Sequence, residues 1–296
     1  MKILSATAAP LLLIASVTAT AADNSAEQTQ DGTGNTAYAE QIEPGASDNS
    51  LIQEQDGAYN TLTAGQREES DSSIEQIQEG FLNSATSLQL GGSGNSSAIY
   101  QLGVRNSAGT LQKVAVDNRA ISEQRGYDNQ SEIQQDLGIG NTAATEQRGQ
   151  VHSASISQVS SYHSEAYIDQ HGTDNEADIA QTGVGHFSSA GQQGAFNRAD
   201  IDQAGEFQEA DIAQSGFANG TVVIQEDLYN SAIVTQDGSF NTAAVRQTGT
   251  LGMGGSHLSV ISQSGSLNET AIIQAGSSSS AIVTQSGSGN SVSLVH

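Results

Sequence analysis

Residues 175–183 read Asn, Glu, Ala, Asp, Ile, Ala, Gln, Thr, Gly, so Asn175, Ala177, Ile179, Gln181 and Gly183 fall on one parity. Glu176, Asp178, Ala180 and Thr182 fall on the other. The split returns at Asn197, Ala199, Ile201 and Gln203 against Arg198, Asp200 and Asp202, and again at Asn241, Ala243, Val245 and Gln247. Strand side chains alternate between faces, so this pattern predicts strands with Ala, an aliphatic residue and Gln inside and charge outside. A helix would need an apolar stripe of 3.6-residue period, which the chain lacks.

The strands come in a repeat. Gln-x-Gly-x-x-Asn occurs at Gln30/Gly32/Asn35, Gln55/Gly57/Asn60, Gln78/Gly80/Asn83, Gln101/Gly103/Asn106 and Gln124/Gly126/Asn129. It continues at Gln170/Gly172/Asn175, Gln192/Gly194/Asn197, Gln214/Gly216/Asn219, Gln236/Gly238/Asn241, Gln263/Gly265/Asn268 and Gln285/Gly287/Asn290. Gln147/Gly149/His152 fills the one missing place. Most spacings are 22 or 23 residues, as from Gln78 to Gln101 and from Gln192 to Gln214. A fixed period in this range signals a solenoid or array.

A looser copy is interleaved at Gln41, Gln66, Gln89, Gln112, Gln135, Gln158, Gln181, Gln203, Gln225, Gln247 and Gln274. Three-sided β-helices also have turns of this length, but a turn in two similar halves suggests two strands joined by two tight arcs. The expected fold is therefore all-β: a two-sided β-solenoid of stacked strand-turn-strand repeats of about 22–23 residues. Roughly twelve repeats would form a rod on the order of 55 Å long.

The repeat also assigns roles. A thin solenoid has room only for slender core residues. Buried amides cost a few kcal/mol each when unpaired, but identical amides stacked at about 4.8 Å bond to the copies above and below. The motif Gln and Asn residues are thus the expected structural ladder. The turn glycines are Gly32, Gly57, Gly80, Gly103, Gly126, Gly149, Gly172, Gly194, Gly216, Gly238, Gly265 and Gly287. They suit positive φ or a close backbone approach, with Asn the next most tolerant residue.

Composition fits a thin core: hydrophobic residues make up 35% and aromatics 4% of 296 residues, with no Trp and no Cys. The net charge of -24 would suggest disorder in a chain without such periodicity. Met1-Lys2, an apolar run over residues 11–17 and the small residues Ala19-Thr20-Ala21 predict a signal peptide at 1–21. Without cysteines, an exported fold must be held by other means. The expected organisation is a leader at 1–21, an N-terminal segment with irregular repeats at 22–77, and the solenoid at 78–296.

These residues resemble the curlin repeat, Ser-x5-Gln-x-Gly-x2-Asn-x-Ala-x3-Gln, of bacterial curli subunits, from about Gln30 to the C-terminus. Gln78/Gly80/Asn83/Ala85/Gln89 and Gln192/Gly194/Asn197/Ala199/Gln203 match its Gln-to-Gln part in full. The resemblance implies a subunit exported across both membranes of a Gram-negative cell. It implies head-to-tail polymerisation into extracellular amyloid fibres for biofilm matrix and adhesion. Copies of itself, a nucleator subunit and an outer-membrane secretion channel are the implied partners, and the motif Gln and Asn residues are the implied drivers of nucleation.

The chain departs from that family in three ways. Familiar curlins have about five repeats, fewer than half the number here. Only residues 22–29 precede the first motif, where the family has a longer secretion segment. The region 248–262, rich in Gly, adds about five residues to one turn and reads as a bulging loop. The motif continues to Gln285, Gly287 and Asn290 with no sign of a capping helix, which favours head-to-tail contact.

Other chemistry is poorly supported. His152, His186 and His257 take Asn places, His171 is outward, His163 is near a turn and His296 is terminal, so no zinc set is expected. The acids recur with the repeat, and neither a nucleophile elbow nor a singular carboxylate pair is present. No catalytic residue, cofactor, metal or small-molecule substrate is expected. Nine Lys and Arg against thirty-three acids disfavour nucleic acid. Outward Glu132, Asp178, Asp200, Asp202, Glu209 and Asp211 form a solvated face, with divalent-cation bridging between fibres as the sharper alternative. The competing function is a monomeric surface adhesin or ice-binding solenoid. That reading expects a regular outward ladder, whereas the positions after the motif Asn are mixed: Glu176, Arg198, Gly220 and Thr242.

Overall fold

The computed structural model describes residues 24–42, 47–249 and 255–296. The expected leader lies outside these residues, as do Pro44 and the centre of the expected loop at 248–262. The described chain is all-β and forms parallel two-sheet β-solenoid turns, grouped into two compact units that meet in sequence after Val151.

In the first unit, one sheet holds the motif strands Ser25–Gln30, Ser50–Ala58, Ser73–Phe81, Ser96–Val104, Arg119–Tyr127 and Thr142–Gln150. The interleaved strands Thr36–Ile42, Thr61–Ser70, Ser84–Ser93, Ser107–Lys113 and Gln130–Asp136 form the other. In the second unit the motif strands are Glu165–Thr173, Phe187–Ala195, Glu209–Phe217, Ser231–Ser239, Leu258–Ser266 and Ser280–Ser288. Its interleaved strands are Ser153–Tyr162, Glu176–Val184, Arg198–Glu206, Gly220–Leu228, Thr242–Gly249, Glu269–Gly276 and Ser291–Val295.

Like residues stack on like. Gln78, Gln101, Gln124 and Gln147 are in register, as are Gly80, Gly103, Gly126 and Gly149. The two inner faces meet in a thin core: Ile99 of a motif strand clusters with Ala37, Leu62, Ala85 and Ala108 of interleaved strands. In the second unit the buried columns are Ala177 and Ala199, then Ile179, Ile201, Val223, Val245 and Ile272. Buried hydroxyls replace aliphatics in several turns of the first unit. Ser97 and Thr110 lie 2.6 Å apart, and both bond Ser87.

The arcs are built differently from the expectation. After the first, Ser25–Gln30, every motif strand continues through Gln to the residue after Gly, so Gln does not end it. The left-handed non-Gly position is the residue before Asn, not Asn itself: Tyr59, Leu82, Arg105, Asp128, Phe196 and Phe240 all have φ of 54–59°. The Asn side chain is occupied with the next turn, and its neighbour absorbs the bend. For an L-residue this conformation costs roughly 1–2 kcal/mol.

The change of period from 23 to 22 residues lies in the interleaved arcs. Six residues separate Gln89 from Asn95 and Gln112 from Asn118, but five separate Gln203 from Gln208 and Gln225 from Asn230. In the six-residue arcs the third residue after Gln turns inward, as buried Glu69, Ala115 and Ser161. Where the two kinds adjoin, strands Ser153–Tyr162 and Glu176–Val184 shift register between Gln158 and Ser161.

Among the described residues, Glu69 is the one acid sealed in such a corner, 1% exposed. Its Oε2 accepts from Ser72 Oγ at 2.8 Å and Asn95 Nδ2 at 3.1 Å, while Oε1 is buried without a partner. Burial pushes its carboxyl above the ordinary value, against the lowering effect of those two donors. The folded state therefore holds the proton more tightly than the unfolded chain. The penalty for ionising Glu69 is absent below the unfolded-state pKa and grows as pH rises through the folded value. Glu69→Gln should raise stability at neutral pH by roughly 1–3 kcal/mol and leave it unchanged near pH 4 or below. Urea unfolding at both pH values checks this.

Candidate functional site: the stacked amide ladders

The motif Gln side chains run as unbroken amide chains through each unit. In the first, Nε2 of Gln30, Gln55, Gln78, Gln101 and Gln124 donates to Oε1 of the next Gln, the last being Gln147, at 2.6–3.1 Å. In the second, Gln170, Gln192, Gln214, Gln236, Gln263 and Gln285 do the same at 2.8–2.9 Å. The second amide hydrogen crosses the core to a carbonyl of the facing sheet, as in Gln101 Nε2 to Ser84 O at 3.0 Å and Gln214 Nε2 to Arg198 O at 2.8 Å. Gln55, Gln124, Gln192 and Gln236 make the same crossing bond, so such a Gln ties its own turn together and hands an identical acceptor and donor to its neighbours. Chains of such bonds in a low-dielectric interior polarise one another.

The Asn column closes the arcs. Asn83 N–H donates to Asn60 Oδ1 at 2.9 Å, and Asn83 Nδ2 donates to the Gly103 carbonyl at 2.9 Å. Asn35, Asn60, Asn106, Asn129, Asn175, Asn197, Asn219, Asn241 and Asn268 make the same Nδ2 bond to the glycine carbonyl of the following turn. Asn290 N–H donates to Asn268 Oδ1 at 3.2 Å. His152 substitutes in this column: its Nδ1 accepts the Asn175 N–H at 3.3 Å. His186 and His257 occupy the interleaved column instead. Burial lowers the pKa of His186, opposed by its bond to the Thr182 carbonyl.

The twelve turn glycines all have φ of 99–136°. The requirement is twofold at Gly80: φ is 122°, and a Cβ would stand 2.0 Å from the Gly103 carbonyl oxygen.

Two further sets of ladder residues were not assigned by the motif. The interleaved Gln residues form equivalent chains, from Gln41 to Gln135 and from Gln158 to Gln274, at 2.8–3.1 Å. Their spacing carried that signal. Gln28, Gln53 and Gln76 make a third column at 2.6 and 2.8 Å, two residues before the motif Gln, where later turns have Ile99 or Ile168.

On the outer face, Asp178 and Asp200 are in register. Burial first, then Glu176 and Asp200, raise the Asp178 pKa, with Arg198 opposing. Arg198 reaches Glu176 at 2.6 Å and Asp178 at 3.9 Å, so a side-chain cation already offsets part of this repulsion.

A search of curated proteins finds no match to the chain. The family model of the curlin associated repeat matches residues 172–205 and 260–287. The first stretch holds the ladder residues Asn175, Gln181, Gln192, Asn197 and Gln203, and the second holds Gln263, Asn268, Gln274 and Gln285. With those turns matched and the same ladders running through them, both stretches are similar to the curlin associated repeat.

Proposed function

We propose that this protein is a structural subunit that adds head to tail to copies of itself, forming extracellular curli-like amyloid fibres for biofilm matrix and adhesion. One observation carries the reading: the hydrogen-bonding surface that a turn presents is the surface every other turn accepts. Gln Nε2, Gln Oε1, Asn Oδ1 and the glycine carbonyl recur one turn apart in a single register. A turn from another copy would meet the same donors and acceptors, and an open contact of that kind propagates.

Curlin-repeat proteins are structural rather than catalytic, and the buried amides here are consumed by one another. In this reading the evenly spaced body 78–296 carries assembly and the unevenly spaced 22–77 serves export. A leader at 1–21, an outer-membrane channel and a nucleator complete the route to the bacterial surface. The alternative is a monomeric adhesin or ice-binding protein.

The test is seeded aggregation of purified residues 22–296 followed by thioflavin T. Preformed fibrils should abolish the lag phase. A flat trace over days from a β-rich monomer would replace the fibre reading with the adhesin one.

A further inference from the structure

One arc edge of the second unit is built at odds with its own backbone. Phe196, Phe240 and Leu267 stand at the left-handed position before Asn, with φ of 59°, 56° and 56°. They are 52%, 52% and 62% exposed. The same position is filled by Asp174 and Gly289 in other turns of the unit, residue types that take this conformation at little cost. The bend therefore does not ask for a large apolar side chain, and burial in the core does not reward one. Phe217, 44% exposed, sits one residue earlier in its turn and bridges the row. Its ring lies 5.3 Å from Phe196 and 5.3 Å from Phe240, edge to face at 65° and 68°.

Strained, exposed and mutually ordered aromatics point to a contact. Charge indicates with what. The chain carries a net charge of -24, so most of its surface repels another copy. The four arcs at 193–196, 215–218, 237–240 and 264–267 contain one charged residue, Asp237. A cationic partner would find almost no acid there. A flat sugar face would find rings tilted against one another instead of a coplanar platform. A second identical row offers the same one-turn pitch, and its rings fit the gaps between these.

We infer that the Phe196–Phe217–Phe240–Leu267 edge packs side by side against the same edge of a second copy of this chain. The contact is isologous, each row meeting its own copy, and lies at right angles to the growth axis of the fibre. It does not depend on the fibre reading, because it can form between soluble chains.

The chain has no cysteine, so single cysteines report the contact. Ala218 lies within the row, and Ala180 is exposed on the outer face of an interleaved strand, outside the four arcs. In freshly prepared soluble protein, Ala218→Cys should oxidise to a disulfide-linked dimer at least about tenfold faster than Ala180→Cys, through raised effective concentration. Adding Phe196→Asn and Phe240→Asn should remove that advantage. Asn accepts the left-handed backbone, and far-UV circular dichroism verifies the fold. Equal rates for the two cysteine variants would overturn the inference, as would linkage at Ala218→Cys that survives both Asn substitutions. Should the Asn variant lose its fold, the comparison of the two single-cysteine chains still decides. Failure of thioflavin T seeding would leave this result untouched.

Discussion

Gly103→Ala is expected to destabilise the first unit by about 3 kcal/mol or more, although it adds one methyl group. The backbone at Gly103 has φ of 130°, which an L-residue rarely adopts. The added Cβ would lie 2.0 Å from the Gly126 carbonyl oxygen and 3.0 Å from its carbon, both backbone atoms that no rotamer can move. Relief requires the two turns to part. That would pull Gly126 O from Asn106 Nδ2, now at 3.1 Å. Gly109→Ala is the control, because nothing lies within 4 Å of a Cβ there. It should be neutral or stabilise by up to about 1 kcal/mol. Urea denaturation of the two variants measures the difference. An equal, small effect of both would show that the glycine column is not held by close approach.

Gln101→Leu is the second large effect, expected at roughly 3–5 kcal/mol. The side chain is 2% exposed. It accepts from Gln78 at 2.6 Å, donates to Gln124 at 2.7 Å and donates to Ser84 O at 3.0 Å. Leucine matches the volume but strands one donor and two acceptors, at about 1–3 kcal/mol each. The apolar burial gained offsets only part of this. Gln193→Leu, on the exposed side of its strand, should stay within about 0.5 kcal/mol. In the fibre reading, seeds of the unmodified protein should also elongate poorly with the Gln101→Leu chain. A variant as stable as the parent would show that the amide chain contributes shape and not hydrogen bonding.

Both effects fall on residues that the sequence marked, and the reason is local. Strand alternation has a period of two residues, so Ala177, Ile179 and Gln181 sort to one face from neighbours alone. A repeat of constant length brings each Gln and Gly over its copy, and a buried amide column is stable only when its members are identical.

The rest depended on contacts between turns. Nothing in the motif distinguishes Asn from the residue before it as the left-handed position. That choice follows from Asn side chains being committed to Asn Oδ1 and glycine carbonyls of adjacent turns. The inward swing of Glu69 likewise depends on its surroundings in the fold, where Ser72 and, from the next turn, Asn95 supply its two donors. Gln28, Gln53 and Gln76 became a ladder only because three consecutive turns hold the same residue in register. Phe196, Phe217 and Phe240 are unremarkable loop residues in the sequence, scattered over about two repeats. Stacking sets them in one row, because the arcs return to the same edge once per turn.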